Sequence, residues 1–138
     1  MSLVLDASIA LTWCFSDERT AATTTVLNHV VDQAAFAPAI WPLEVLNALV
    51  VAQRRGRCNA ADRLRLTGFL RQLPITIDED TLPHAWTTTA ELADRFRLTI
   101  YDAAYLELAH RQSLPLATLD SDLRRAAKAV GVSLLGVA

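Results

Sequence analysis

Leu3-Val4-Leu5 is an apolar run with no polar interruption, and it stops at an acid, Asp6. A strand with one face in water alternates polar and apolar residues. A short run that is apolar at every position belongs instead to a strand covered on both faces, the kind found in parallel sheets packed between helices. Ile75-Thr76-Ile77 is β-branched throughout and reads as a second strand. Leu116-Ala117-Thr118 and Val132 to Leu135 read as two more, with a brief one at Phe36 to Pro38. Helical sequence lies between them. One helix is expected from Asp17 to about Ala34, capped by Ser16 or Asp17, and one from Leu43 to about Arg55, introduced by Trp41-Pro42 and stopped by Gly56. Others are expected at Asp62 to Leu73 before Pro74, Thr81 to Phe96, Tyr101 to Gln112 with Ala104, Leu106, Leu108 and Ala109 inward, and Ser121 to Val130 before Gly131.

Strands that alternate with helices at this interval build right-handed βαβ units. The chain has 138 residues, enough for one well-filled core and cramped for two. The expected fold is therefore α/β: one domain over residues 1–138, with a doubly wound, mainly parallel sheet flanked by helices. No internal repeat, low-complexity tract or linker interrupts it.

Several classes of function are disfavoured. Met1-Ser2-Leu3-Val4-Leu5 has no basic lead and runs into Asp6, so it does not read as a secretory signal. The longest apolar stretch, Ala34 to Leu43, carries Pro38 and Pro42 and falls short of the roughly 20 residues that cross a bilayer. No membrane association is expected, and the expected compartment is the cytoplasm. Cys14 and Cys58 stand alone, without metal spacing, and read as reduced fillers. A hydrophobic content of 52% is high for so short a chain, which points to a partner covering part of its surface. With 13 Lys and Arg against 15 Asp and Glu the net charge is -2, and that balance taken alone argues against nucleic acid.

The placement of the acids changes this reading. Open α/β sheets form their sites beyond the carboxyl ends of the strands. Asp6 closes the first strand, Asp120 lies two residues past Leu116-Ala117-Thr118, and Glu44 and Asp102 each fall in the first turn of a helix. Asp122 is a fifth candidate. Any one acid in a first helical turn has an ordinary explanation, since the helix dipole favours it by about 0.3 to 1 kcal/mol. Asp6 also has one, as a cap for the turn that follows. Yet an acid directly after a buried strand is costly unless it is paired or metal-bound. Gathered in one cleft the four repel, and the only lysine, Lys128, is near none of them in sequence. A hard divalent ion with oxygen ligands resolves the repulsion. The chemistry implied is metal-assisted phosphodiester hydrolysis.

Val4-Leu5-Asp6-Ala7-Ser8, Pro42-Leu43-Glu44-Val45-Leu46-Asn47-Ala48-Leu49, Tyr101-Asp102-Ala103-Ala104-Tyr105-Leu106-Glu107-Leu108-Ala109 and Ala117-Thr118-Leu119-Asp120 resemble the four motifs of PIN-domain ribonucleases. Within that group the sequence is most similar to VapC-type toxins of bacterial and archaeal toxin–antitoxin pairs. The resemblance runs over essentially the whole chain, with the motifs in order. It implies a Mg²⁺-dependent endoribonuclease, the toxin of a type II VapBC-like system, leaving 5′-phosphate and 3′-hydroxyl ends. It also implies that Asp6, Glu44, Asp102 and Asp120 bind Mg²⁺ or Mn²⁺, directly or through water. Ser8 and Thr118 match small hydroxyl positions of the family, and Asn47 matches a polar position one helical turn after Glu44. Asp122 matches a position that is acidic in some members only, so its role as a ligand stays open. A homodimer and a VapB-type antitoxin whose C-terminal segment covers the cleft are implied as partners, beside the RNA substrate.

Arg54, Arg55, Arg57, Arg63, Arg65 and Arg71 stand against a single acid, Asp62, between Val45 and Ile77. They are either solvated helix faces or contacts for RNA phosphates or an acidic stretch of antitoxin, with Arg54, Arg55 and Arg57 the candidates. Trp13, Trp41 and Trp86 read as core or interface, His29, His84 and His110 as surface or core, and Tyr101 and Tyr105 as helix packing. Two other functions fit the same pattern of strands and acids. One is a PIN scaffold that has lost catalysis and acts in binding. The other is a phospho-acceptor receiver module, with Asp78 as acceptor, although its required lysine is represented only by Lys128 on a helix. With the four proposed ligands set aside, 11 of the 15 acids remain against 13 basic residues, so the rest of the surface is slightly basic and compatible with RNA.

Overall fold

The computed structural model describes residues 1–136. Leu3, Val4 and Leu5 are wholly buried, and β1 (Val4–Leu5) lies at the centre of a five-stranded sheet. Its neighbours are β2 (Ala35–Ala37) and β4 (Leu116–Ala117), with β3 (Ile75–Ile77) and β5 (Leu134–Leu135) at the edges, in the order β3-β2-β1-β4-β5. Every pairing is parallel. The chain steps outward from β1 to β3 and then returns to the other side of β1. The carboxyl ends of β1 and β4 therefore meet at the point where strand order reverses, which is where such sheets form their crevice.

Among the described residues, eight α-helices connect and cover the strands. They are α1 (Ala7–Thr12), α2 (Ala21–Gln33), α3 (Trp41–Arg54), α4 (Ala60–Gln72), α5 (Thr81–His84), α6 (Ala90–Phe96), α7 (Ile100–Gln112) and α8 (Ser121–Ala129). A wide π-helical stretch, Ala85–Thr89, joins α5 to α6, so the expected helix from Thr81 to Phe96 is one helical run with a bulge. The expected helix from Asp17 to Ala34 begins later, at Ala21. Thr20 and Thr23 cap each other's backbone N–H there, at 3.1 and 3.0 Å, and so set the helix cap three to four residues after Ser16 and Asp17. Asp17 pairs with Arg57 instead. A reciprocal pair of the same kind, Asn59 with Asp62, starts α4 two residues ahead of Asp62. At the far end of α3, Gly56 takes a left-handed φ of 78°, the turn its place after the helix calls for. Helix α1 has no counterpart among the expected elements, because six residues are too few to show a period.

Helix α7 buries Ala104, Leu106, Leu108 and Ala109 as expected and goes further: every residue from Ala103 to Ala109 is buried, including Tyr105 and Glu107. A helix enclosed on all sides is apolar all round, and here its two polar members each have a fixed partner. Arg111, one turn on, reaches Glu107 at 2.8 Å and also Asp78, just past β3, at 2.6 Å. Among the described residues no helix is long and apolar enough to cross a membrane.

Candidate active site

Asp6 follows β1 directly and is 6% exposed. Its N–H donates to the Ala117 carbonyl at 3.0 Å, which pins the end of β1 to the end of β4. Its side chain makes no capping bond to α1. Instead Oδ2 accepts two hydroxyl hydrogen bonds, from Thr118 Oγ1 at 2.6 Å and Ser8 Oγ at 2.7 Å. Each hydroxyl is itself held by a backbone donor, Thr118 by the Asp120 N–H and Ser8 by the Leu119 N–H, both at 3.1 Å. The loop after β4 is thus threaded onto the turn after β1. Burial pushes the Asp6 carboxyl above its usual range, the two hydroxyls oppose that, and the charge of Asp120 adds to it.

The other three acids converge on the same crevice from different elements. Glu44, in the first turn of α3, accepts a 2.5 Å hydrogen bond from the Tyr105 hydroxyl at Oε1. Burial raises its proton affinity, Tyr105 lowers it, and Asp6 and Asp102 raise it further. Asp102, in the first turn of α7, is pushed up to about 6, by burial first and then by the charges of Asp120 and Asp6. Asp120 caps α8, its Oδ1 accepting from the Leu123 N–H at 2.9 Å. Asp120 thus serves as a helix cap, but that uses only one of its two carboxylate oxygens. The charges acting on Asp6, Glu44 and Asp102 are those of other carboxylates. Among the described residues no three His, Cys, Asp or Glu side chains close around a common point. An ion here would keep part of its water shell, as Mg²⁺ commonly does when one or two carboxylates hold it.

Asp122 is exposed, and its carboxylate pairs with Arg125 at 2.8 Å, although its charge also acts on Asp102. Asn47 lies exposed on α3. Arg124 braces the site from behind, donating to the Thr118 carbonyl at 2.8 Å and the Leu135 carbonyl at 3.3 Å. Tyr105 packs its ring in the core, as the sequence suggested, but its hydroxyl also reaches the site. Its only signal was the three-residue spacing from Asp102, which puts both on one face of a helix.

The arginines divide. Arg57 bridges Asp17 at 3.1 Å and Glu18 at 3.3 Å and lies 4.2 Å over the Phe15 ring, so it ties the end of α3 to the segment after α1. Arg63 donates to Gln53 and Arg65 pairs with Asp62. Arg54 and Arg55 are exposed at the end of α3. Of the tryptophans, Trp13 and Trp41 are core, the first donating to the Thr23 carbonyl at 2.8 Å, while Trp86 is 88% exposed. Asp78, the acceptor in the receiver reading, is buried beyond edge strand β3 and committed to Arg111, and Lys128 sits on α8. Neither is at the crevice, which removes that reading.

The family model that describes the PIN domain matches residues 3–129. The chain is 40% identical over 95 residues to Ribonuclease VapC3 of Mycobacterium tuberculosis (strain CDC 1551 / Oshkosh), an alignment covering 67% of this chain. It spans 65% of that relative's length. Among solved structures, PAE2754 from Pyrobaculum aerophilum superposes with a TM-score of 0.70 at 24% identity, over 97% of this chain and 83% of that one. VapBC2 from Rickettsia felis, bound to a DNA fragment from their promoter, gives a TM-score of 0.65 at 14% identity, over 97% of each chain. At those identities the two structures speak for the fold. With the motifs in order and the family match running almost from end to end, this chain belongs to the PIN-domain family.

Proposed function

We propose that this PIN domain is a divalent-metal-dependent endoribonuclease and the toxin of a type II, VapBC-like toxin–antitoxin pair. The observation that carries the reading is the mutual proximity of Asp6, Glu44, Asp102 and Asp120 beyond the reversal point of the sheet, near enough for their charges to act on one another. The charges bearing most on the first three are those of other acids. Identity to Ribonuclease VapC3 supports the same class of activity.

Four hard oxygen donors in a partly buried, uniformly acidic crevice suit Mg²⁺ or Mn²⁺. Asp6, Glu44, Asp102 and Asp120 are the residues that would hold it. Such an ion supplies Lewis acidity, lowering the pKa of water and offsetting charge that builds on a phosphate under attack. The chain's own part is to orient the donors. Ser8 and Thr118 fix the Asp6 carboxylate through Oδ2, and the cap on α8 fixes Asp120. Asp122 lies at the margin, where a water between it and an ion is the form its ligation would take.

RNA is the substrate of this reading. A VapB-type antitoxin and a second copy of the chain are its protein partners, and exposed Leu43, Leu82 and Trp86 offer apolar surface for them. Arg54 and Arg55 are the arginines available to phosphates or to acidic antitoxin residues. A scaffold without catalysis is disfavoured by the presence of all four acids.

The test is cleavage of single-stranded RNA by the purified chain with Mn²⁺ or Mg²⁺, alongside Asp6→Asn and Asp102→Asn. The parent is expected to cut and both variants to lose nearly all activity. Variants that cut as fast as the parent overturn the reading, and an inert parent that still binds antitoxin favours the scaffold.

A further inference from the structure

The Tyr105 ring is completely buried in α7, 0% exposed, yet its hydroxyl reaches the crevice and meets a residue 61 positions away, Glu44 on α3. Glu44 sits in the first turn of its helix and is partly buried, a long side chain with three rotatable bonds whose one side-chain hydrogen bond among the described residues is this one. The two partners are therefore unequal, one immobilised by the core and the other free to swing. Tyr105 also lies one turn from Asp102 on the same face of α7.

Resting on the reading of the four acids as a metal centre, we propose that Tyr105 is a positioning residue: its hydroxyl binds Glu44 Oε1, locks the carboxylate in one rotamer and leaves Oε2 as the oxygen offered to the ion. Partners that orient a metal-ligating carboxylate in this way typically govern affinity by about 10- to 100-fold. A buried tyrosine hydroxyl needs a hydrogen-bond acceptor in any case, so the purely structural account of this pairing must be separated from the positioning one.

Tyr105→Phe separates them. It keeps the buried ring, removes the donor and its need for a partner together, and leaves Glu44 able to turn to water. The measurement is Mn²⁺ binding to the whole chain by calorimetry, with thermal unfolding of the metal-free proteins, for the parent, Tyr105→Phe, Glu44→Gln and the double variant. Tyr105→Phe is expected to weaken Mn²⁺ binding about tenfold or more with the metal-free melting temperature nearly unchanged, and to add nothing in the Glu44→Gln background. Equal Mn²⁺ affinity of parent and Tyr105→Phe, or additive effects in the double variant, overturn the positioning role while the metal centre stands. A parent that binds no Mn²⁺ overturns the metal centre and this role with it. Should Tyr105→Phe fail to fold, Tyr105→Met takes its place, since it fills the same buried site with a flexible apolar side chain and leaves Glu44 without the hydroxyl. Unchanged affinity there overturns the proposal.

Discussion

Thr118 Oγ1 donates to Asp6 Oδ2 at 2.6 Å across 112 residues of sequence, and this bond joins the carboxyl ends of β1 and β4 at the point where strand order reverses. Thr118 is 0% exposed, so its hydroxyl has no access to water in exchange. Thr118→Val keeps the shape and removes the bond, leaving Asp6 with Ser8 alone. A hydrogen bond to a charged group contributes about 1.5 to 3 kcal/mol, and a loss of that size in urea unfolding is expected, together with weakened RNA cleavage. A variant as stable and as active as the parent would show that the bond orders nothing.

Mutual repulsion among the four acids makes a prediction of opposite sign for stability and function. Asp102→Asn removes one of the charges that raise the others, so the metal-free variant is expected to melt higher than the metal-free parent. Water screens a half-buried carboxylate, so the gain is on the order of 1 kcal/mol. Added Mg²⁺ or Mn²⁺ is expected to raise the melting temperature of the parent, and that of Asp102→Asn by less, because stabilisation by a ligand follows its affinity for the folded state. Chelator removes the gain. Identical metal responses in the two proteins would exclude Asp102 from the ligand set.

Asp78 makes the fold sensitive to acid. Burial pushes its carboxyl up, but the Arg111 guanidinium, the Asp80 N–H and the Thr81 hydroxyl together outweigh that and hold it below its ordinary 3.8. A carboxyl whose folded value is depressed stabilises the protein above its unfolded value, and that contribution is lost as pH falls through the folded one. Stability is therefore expected to drop as pH falls below the ordinary 3.8, and Asp78→Asn is expected to flatten that part of the curve. At pH 7, Arg111→Ala strands both Glu107 and Asp78 and is expected to cost about 3 kcal/mol in urea unfolding. A parent curve with the same acid slope as Asp78→Asn would deny the pair its role.

The exposed arginines at the end of α3 are separable from the tethered one. Replacing Arg54 and Arg55 by Glu is expected to weaken binding of single-stranded RNA and to lower its salt dependence by about 0.7 in log–log slope for each phosphate no longer neutralised. Arg57→Ala is expected to act on stability instead, by removing the bridge to Asp17 and Glu18 and the stacking on Phe15. An unchanged affinity and slope in the double reversal would remove Arg54 and Arg55 from the RNA surface.

Much of the architecture was written locally. An apolar run closed by Asp6 identified a strand buried on both faces, and Gly56, Pro74 and Gly131 marked where helices stop, since each of these signals acts within a few residues. The motifs around Asp6, Glu44, Asp102 and Asp120 were legible as well, because each acid follows a strand or opens a helix and so falls toward the same side of a parallel sheet. Local signals failed where two of them competed. The start of α2 went to the reciprocal Thr20 and Thr23 pair, and α1 was too short to have a period.

What sequence alone determined, then, was the alternation of elements and the positions of the acids at strand and helix ends, both carried by spacing along the chain. Tertiary structure decided which side chains orient those acids. Tyr105 bonding Glu44, Thr118 bonding Asp6 and Arg111 joining Glu107 to Asp78 connect side chains through burial that local spacing does not reveal. Burial removes competing water and gives a hydroxyl or guanidinium few available partners. Only the assembled sheet and the enclosed helix α7 supply it.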